Sequence, residues 1–253
     1  MTKQLLIVIL FLTVLFSSDH SYKLSLNQFS SSSSLWWQKN NNSGKNLIGQ
    51  PLDIQFEKRI KSFSIFLDSS ILFDTKNIFI NDFYINYSSK MNFNIKTGRF
   101  KREFSKYLND GLSSGSILMS NNAQPIPRIS LTLSKPLKRN NNIIFDMGIS
   151  HGIFDKNEFY SDPPYLHEKF IYLIFNIQED QFGIGLVHEA MWGGTTTQGK
   201  HTGKQPDNFS DFLKVFISAD GPLREGEPHA NALGNHLGIW DFSYQKKSFD
   251  KIF

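Results

Sequence analysis

The sequence contains no cysteine, which excludes disulfide bonds, thiolate metal sites and a lipid-modified N-terminal cysteine. It also lacks any apolar run of about 18 residues, so no transmembrane helix is expected. An excess of charge of one sign is nearly absent, with 27 basic against 23 acidic side chains and a net charge of +4. Nucleic-acid binding therefore has little support. An acidic glycan or a lipid head group remains compatible with the small positive excess.

The longest apolar run covers residues 5–16, after Lys3 and before two serines. This order is typical of a secretory signal peptide, which we assign to residues 1–20, and it predicts export. Residues 21–50 are rich in serine and asparagine, and this composition predicts a poorly ordered polar leader. Residues 51–253 are then the folded domain.

Alternation of large apolar with polar residues dominates the folded domain. It is clearest at residues 91–97, where Asn92, Asn94 and Lys96 alternate with apolar neighbours. Such segments are typical of antiparallel strands with one wet face, and about nine are expected. Residues 101–122 break the rhythm and predict a short helix or a plug-like loop, and residues 207–216 predict a short helix. Exported, half-polar strands are typical of a membrane β-barrel or of a soluble β-sandwich, and the pattern favours the barrel.

The segment 181–194 combines this pattern with unusual chemistry. Phe182, Ile184 and Leu186 alternate with Gly183, Gly185 and Val187, which predicts a strand with one bulky apolar face. Residues 188–194 then predict a loop that carries a histidine, a carboxylate, a tryptophan and two glycines.

The sequence contains no motif that is specific for catalysis or for metal binding. His188 and Glu189 are adjacent and therefore point to opposite sides of a strand, which makes them a poor acid–base pair. Together with His201 and His236 they lack the spacing that is typical of a zinc site. A hydrolase that uses Glu189 and nearby histidines is the weakest alternative. We predict no catalytic residues, no metal and no cofactor.

Sugar binding is a better match to the aromatic and polar residues. Trp192 precedes two glycines and three threonines, and an aromatic ring beside hydrogen-bonding groups suits a sugar. Arg128 is positioned to pair with a uronate or, alternatively, with a carboxylate inside a barrel. The predicted polysaccharide-binding residues are Arg128, His188, Glu189, Trp192, His236 and Trp240. The predicted structural residues are Gly193, Gly194, Gly234, Gly238, Pro125 and Pro127.

Several short segments, in this order, resemble the Wzi capsule-assembly family in its Bacteroidetes-like form. They span about residues 50–245 and correspond to roughly the first half of such proteins. The segment 231–241, Asn-Ala-Leu-Gly-Asn-His-Leu-Gly-Ile-Trp-Asp, is the most specific. The other segments are Leu112–Ser116, Ser120–Pro127, His151–Asp155, Tyr165–Lys169, Gly185–Gly194, Gly203–Pro206 and Asp211–Leu213.

The resemblance implies an all-β antiparallel outer-membrane β-barrel, here partial and open, with one or two short helices and a small periplasmic helical element. It implies a non-catalytic, lectin-like role in the assembly and attachment of capsular or surface polysaccharide. The expected partners are that polysaccharide and outer-membrane lipid. A truncated reading frame is also expected. The alternatives are a passive pore or structural barrel protein, and a non-functional fragment.

Overall fold

A computed structural model describes residues 20–26, 51–73, 77–109, 113–137, 142–198, 202–223 and 229–246. Residues 1–19 of the signal peptide expected at residues 1–20 lie outside these ranges. The described secondary structure is almost entirely antiparallel strand, with one short helix. The strands are β1 (His20–Leu26), β2 (Pro51–Ile60), β3 (Phe63–Leu72), β4 (Asn77–Ser88), β5 (Phe93–Arg99), β6 (Pro127–Pro136), β7 (Ile143–Ile153), β8 (Tyr160–Asp162), β9 (Tyr165–Ile177), β10 (Asp180–Trp192), β11 (Thr195–Thr196), β12 (Gly203–Lys204) and β13 (Asn235–Lys246), and the helix is α1 (Phe209–Ile217).

One large sheet organises the chain. Its order is β1-β2-β3-β4-β5-β6-β7-β9-β10-β13, so each long strand pairs with the next long strand along the sequence. The three shortest strands form a separate sheet in the order β12-β11-β8. Within the described ranges β1 and β13 do not pair with each other. The sheet is therefore a partial, open barrel, as the sequence predicted.

The sequence located most strands correctly but missed one. The large sheet has ten strands rather than about nine. The additional strand, β1, lies in the segment that was expected to be a disordered leader, and Tyr22 pairs with Phe56 of β2. The composition of this segment alone predicts disorder. It is ordered because its backbone forms hydrogen bonds with β2.

The two faces of the sheet differ in polarity. On β10, Phe182, Ile184 and Leu186 are exposed, whereas Gly183 and Gly185 are buried on the opposite face. The predicted faces of this strand are confirmed. The outer face is apolar, and it carries further exposed side chains on the neighbouring strands, among them Ile129, Leu131, Ile171, Leu173, Trp240, Phe242 and Tyr244.

The irregular segment 100–126 covers the inner face, and we call it the plug. Phe104 of the plug is fully buried against Phe170, Tyr172 and Val187 of the sheet. The described part of the plug contains no helix, so the expected plug-like loop is confirmed. Ion pairs attach the plug at two points: Lys96 pairs with Glu103 at 2.5 Å, and Lys106 pairs with Asp146 at 3.1 Å.

Helix α1 lies within the connection between β10 and β13. The short helix predicted at residues 207–216 is confirmed, and its N-cap is Asn208. The Asn208 side chain accepts a hydrogen bond from the backbone N–H of Asp211, and the Asp211 carboxylate accepts one from the backbone N–H of Asn208. This reciprocal pair is a capping box. No helix in the described ranges is long and apolar enough to cross a membrane.

The inner face has a glycine that leaves room for a neighbouring ring. A Cβ atom on Gly185 would overlap the Tyr172 ring, and the Tyr172 hydroxyl is held by Asp241 at 2.7 Å. We expect Gly185→Ala to lower the free energy of unfolding by about 1–3 kcal/mol, the cost of overpacking. Urea-induced unfolding in detergent measures this change.

Gly238→Ala is the matched control. Gly238 lies on the adjacent strand, and a Cβ atom there would meet only the Val187 carbonyl oxygen at 3.7 Å. Its stability should stay within about 0.5 kcal/mol of the wild type. Equal stability of the two variants would contradict the steric role of Gly185.

Candidate functional site

A cavity of about 300 Å³ lies where β10 ends and β13 begins. Its walls come from the end of β10, from the small sheet and from the segment before β13. The lining residues that carry polar or aromatic side chains are Tyr160, Trp192, Thr196, Gln205, Asn231 and Asn235. None of the described lining residues is charged.

A glycine turn gives the cavity its shape. Gly193 and Gly194 have φ values of +67° and +75°, in the left-handed region that favours glycine. A Cβ atom on Gly194 would also stand 2.8 Å from the Asp162 carbonyl oxygen and the Pro164 nitrogen. The turn therefore directs the chain from the large sheet into the small one at close range. Gly234, on the opposite wall, has a φ of +97°.

Trp192 links the cavity to the buried core. Its ring packs against Tyr165 and Phe212, and the residue is only 7% exposed. Its indole N–H is buried and has no hydrogen-bond partner among the described residues. Trp192 contributes aromatic ring surface to the cavity wall, whereas its buried N–H is enclosed by protein.

The other polar groups complete a neutral lining. The Tyr160 hydroxyl lies 3.8 Å from the Met191 sulfur, a weak acceptor. Thr196 donates to the Gly203 carbonyl at 3.3 Å, which ties β11 to β12. Asn231 and Asn235 add two amide groups. The cavity thus combines aromatic surface with hydroxyl and amide groups.

A bidentate ion pair fixes the loop that follows β7. Arg99 donates to both carboxylate oxygens of Asp155, at 3.0 and 2.6 Å, and to the Pro125 carbonyl at 2.9 Å. These hydrogen bonds hold the pKa of Asp155 below its usual value. The stabilisation is therefore present above the unfolded pKa and is lost as the pH falls through the folded pKa. Pro125 thus takes part in this arrangement through its carbonyl, and Pro127 begins β6.

The structure does not assemble the six predicted sugar-binding residues into one site. His188 and His236 lie on the outer face, with Nε2 of His188 and Nδ1 of His236 2.9 Å apart. Ser218, just after α1, is 3.2 Å from Nε2 of His188. The prediction of a loop at residues 188–194 is wrong. Strand β10 continues to Trp192, and only the two glycines that follow it form the turn.

Arg128 and Glu189 lie on the inner face. Arg128 pairs with Glu168 at 3.1 Å, and both side chains are 1% exposed. Glu189 is the cross-strand partner of Glu168, so one guanidinium faces two carboxyl groups. Of the two partners that the sequence allowed for Arg128, the structure places a carboxylate of the barrel interior beside it.

Trp240 is separate from both groups. It lies on β13, opposite Leu186, and 67% of it is exposed on the apolar outer face. Only Trp192 of the predicted binding residues lines the cavity, together with the predicted structural glycines Gly193 and Gly234.

The candidate metal ligands of the sequence are His188, Glu189, His201 and His236. His201 lies outside the described residues. Among the residues that the structure does describe, no group of three or more His, Asp or Glu side chains has the arrangement that would hold a metal ion.

Sequence reasoning missed several residues of the site. Tyr160 and Gln205 reach the cavity only because the small sheet folds back over the end of β10. Asn231 and Asn235 lie in the segment that carried the most specific resemblance, which was the available signal. Glu168 lies in another resembling segment, and its register opposite Glu189 appears only once β9 and β10 are paired.

An apolar outer face, a polar inner face and antiparallel neighbours are the features of outer-membrane β-barrel proteins. The sequence model of the family described as capsule assembly protein Wzi matches residues 18–253. The chain therefore belongs to this family, whose members are outer-membrane proteins of capsule assembly. No curated protein and no solved structure matches the chain significantly.

Proposed function

We propose that this protein binds capsular or surface polysaccharide, without catalysis, in the cavity where β10 ends and β13 begins. One observation carries the proposal: the cavity presents aromatic surface, amide groups and hydroxyl groups together. A sugar ring has an apolar face that stacks on aromatic rings and hydroxyl groups that bond to amides.

The lining also suggests the class of sugar. No charged side chain is present among the described lining residues, and a buried carboxylate without a cationic partner is costly. We therefore propose neutral sugar units as the bound part of the polymer. Arg128 does not supply a cation here, because it lies on the inner face against Glu168.

The connections between strands support an outward-facing cavity. Residues 61–62, 89–92 and 178–179 make short connections at one end of the sheet, while residues 154–164 and 193–234 make long ones at the other end. In bacterial outer-membrane barrels the short turns are periplasmic and the longer loops are extracellular. We propose this orientation, which puts the cavity and α1 at the cell surface rather than in the periplasm. The resemblance had implied a periplasmic helical element.

Trp192→Phe tests the cavity as the binding site. This variant keeps an aromatic ring but removes part of the aromatic surface that lines the cavity, so we expect about fivefold weaker binding of the capsule, the effect of losing roughly 40 Å² of apolar contact. Isothermal titration of the purified protein in detergent, with capsular polysaccharide from the producing cells, measures the change.

Trp240→Phe is the control, because it makes the same change on the apolar outer face. It should bind as the wild type does. Equal losses in both variants, or no binding by the wild type, would overturn the proposal. A polymer rich in uronic acid that binds more tightly than a neutral polymer would overturn the neutral-sugar assignment alone.

The pore and hydrolase alternatives have less support. The plug packs Phe104 and several polar groups against the inner face, which favours a binding role over a passive pore. His188 and Glu189 lie on opposite faces of β10, so the hydrolase arrangement does not form within the described residues.

A further inference from the structure

Helix α1 lies on the outside of the sheet, at the end with the long connections. Val215 is fully buried, and Phe212 packs against Trp192, His151 and His167. These partners occupy the outer-face positions of β7, β9 and β10. The Lys169 ammonium donates to the Phe216 carbonyl near the end of the helix. The helix is therefore docked on the wall and does not project freely from a loop.

The side of α1 next to Phe212 is also apolar. Phe209, Leu213 and Ile217 are 74%, 49% and 70% exposed. The buried side carries Phe212 and Val215. An amphipathic helix normally buries its apolar stripe and exposes polar residues. Here the apolar stripe is wider than the part that the described sheet covers, so its remainder needs another apolar partner.

The exposed side of α1 is continuous with the apolar outer face of the sheet. His188 of β10 contacts Ser218 at the end of α1. Leu186 is the next outer-face residue of β10, and it lies opposite Trp240 of β13. Both Leu186 and Trp240 are exposed. The apolar surface of the strands thus runs to the edge of α1 and continues over it.

We infer that α1 is an interfacial helix, held against the barrel wall, with Phe209, Leu213 and Ile217 among the lipid acyl chains at the membrane surface. Interfacial helices lie with their apolar side at the boundary of head groups and chains. Aromatic residues are favoured at the same level. The inference rests on the outer-membrane location of the family and does not depend on polysaccharide binding.

A second copy of the chain is a poorer occupant of this surface. One side of a nine-residue helix offers only a few exposed side chains, below the roughly 800 Å² per partner that stable interfaces bury. Lipid requires no complementary partner surface, and it already covers the adjoining strands of an outer-membrane barrel.

The absence of cysteine allows a direct test with single labels. Leu213→Cys carries an environment-sensitive fluorophore, and the labelled protein is reconstituted into phosphatidylcholine vesicles that contain nitroxide lipids. We expect the Leu213→Cys label to be quenched, and quenched more by a nitroxide near the head group than by one near the chain end.

Two matched labels complete the test. Ile184→Cys, on the outer face of β10, should be quenched more by the deeper nitroxide. Glu158→Cys, in the exposed loop after β7, should not be quenched. The three positions are exposed, so the labels leave the core intact, and retained heat-modifiable mobility on gels verifies folding. A Leu213→Cys label that behaves like the Glu158→Cys label would overturn the inference. So would a disulfide between two copies, formed when the unlabelled Leu213→Cys protein is treated with a mild oxidant in dilute vesicles.

Discussion

Replacing Arg128 by alanine should lower the free energy of unfolding by about 3–5 kcal/mol, because it leaves a buried carboxylate without its cation. Arg128 and Glu168 pair at 3.1 Å with 1% of each side chain exposed. Glu189 faces Glu168 across the strands, so the loss of the Arg128 guanidinium would leave two adjacent carboxyl groups. Urea-induced unfolding in detergent measures the loss.

Arg59→Ala is the control for this prediction. Arg59 pairs with Glu57 at 2.6 Å, but 74% of the arginine side chain is exposed, and such surface pairs contribute about 0–1 kcal/mol. Arg128→Met with Glu168→Leu gives a second comparison, because replacing both partners by apolar residues is often nearly neutral. If Arg128→Ala were no more harmful than Arg59→Ala, the buried pair would not stabilise the inner face.

Asp241→Ala should release the plug from the sheet and lower the free energy of unfolding by about 2–4 kcal/mol, since hydrogen bonds to a charged acceptor contribute about 1.5–3 kcal/mol each and do not add fully. Asp241 accepts from the Ser105 hydroxyl at 2.5 Å and from the Tyr172 hydroxyl at 2.7 Å. It also accepts from the Tyr107 hydroxyl. Two of these donors belong to the plug, so the carboxylate joins the plug to β9 and β13.

Limited proteolysis reports on the plug separately from global unfolding. Trypsin should cut after Lys106 faster in Asp241→Ala than in the wild type, because local release exposes the backbone. Ser243→Ala, two residues along the same strand, is the control and should keep the wild-type cleavage rate. Unchanged cleavage in Asp241→Ala would mean that Phe104 and the two ion pairs of the plug hold it without Asp241.

The titration of Tyr107 gives an independent measurement. Burial, and secondly its hydrogen bond to Asp241, raises the pKa of Tyr107 to about 12. The contribution of this tyrosine to stability is therefore complete below its unfolded pKa of about 10 and is lost as the pH rises towards about 12. In Asp241→Ala the pKa of Tyr107 should fall, and ultraviolet absorbance of the tyrosinate follows it.

Much of the sheet was predictable because strand pairing here is local in sequence. Each long strand pairs with the next one, so the alternation of β9 and β10 and the short turn between them identify both strands and their partner. The alternation of Phe182 with Gly183 also determined which side of β10 is apolar. The register that places Glu168 opposite Glu189 was not predictable, since a shift by one residue would exchange the two faces.

The candidate site was predictable only in part. Trp192 and the two glycines after it form a local signal that combines an aromatic ring with a tight turn. The cavity-lining residues span 75 positions of the chain, from Tyr160 to Asn235, and no short motif connects them. His188 illustrates the same limit. The sequence identifies a polar residue there, but its surroundings depend on the docking of α1 on the outer face.

The sequence by itself determined that this protein is built from half-polar antiparallel strands, that a segment without their alternation interrupts them and that its segments resemble the Wzi family. These properties depend on residue periodicity and on short segments, both of which are local. The tertiary structure alone decided that Arg128 faces Glu168, that Asp241 anchors the plug, that α1 packs against the outer wall and that a neutral cavity surrounds Trp192. Each of these depends on strand register and on long connections folding back, and the chain's local preferences do not specify either.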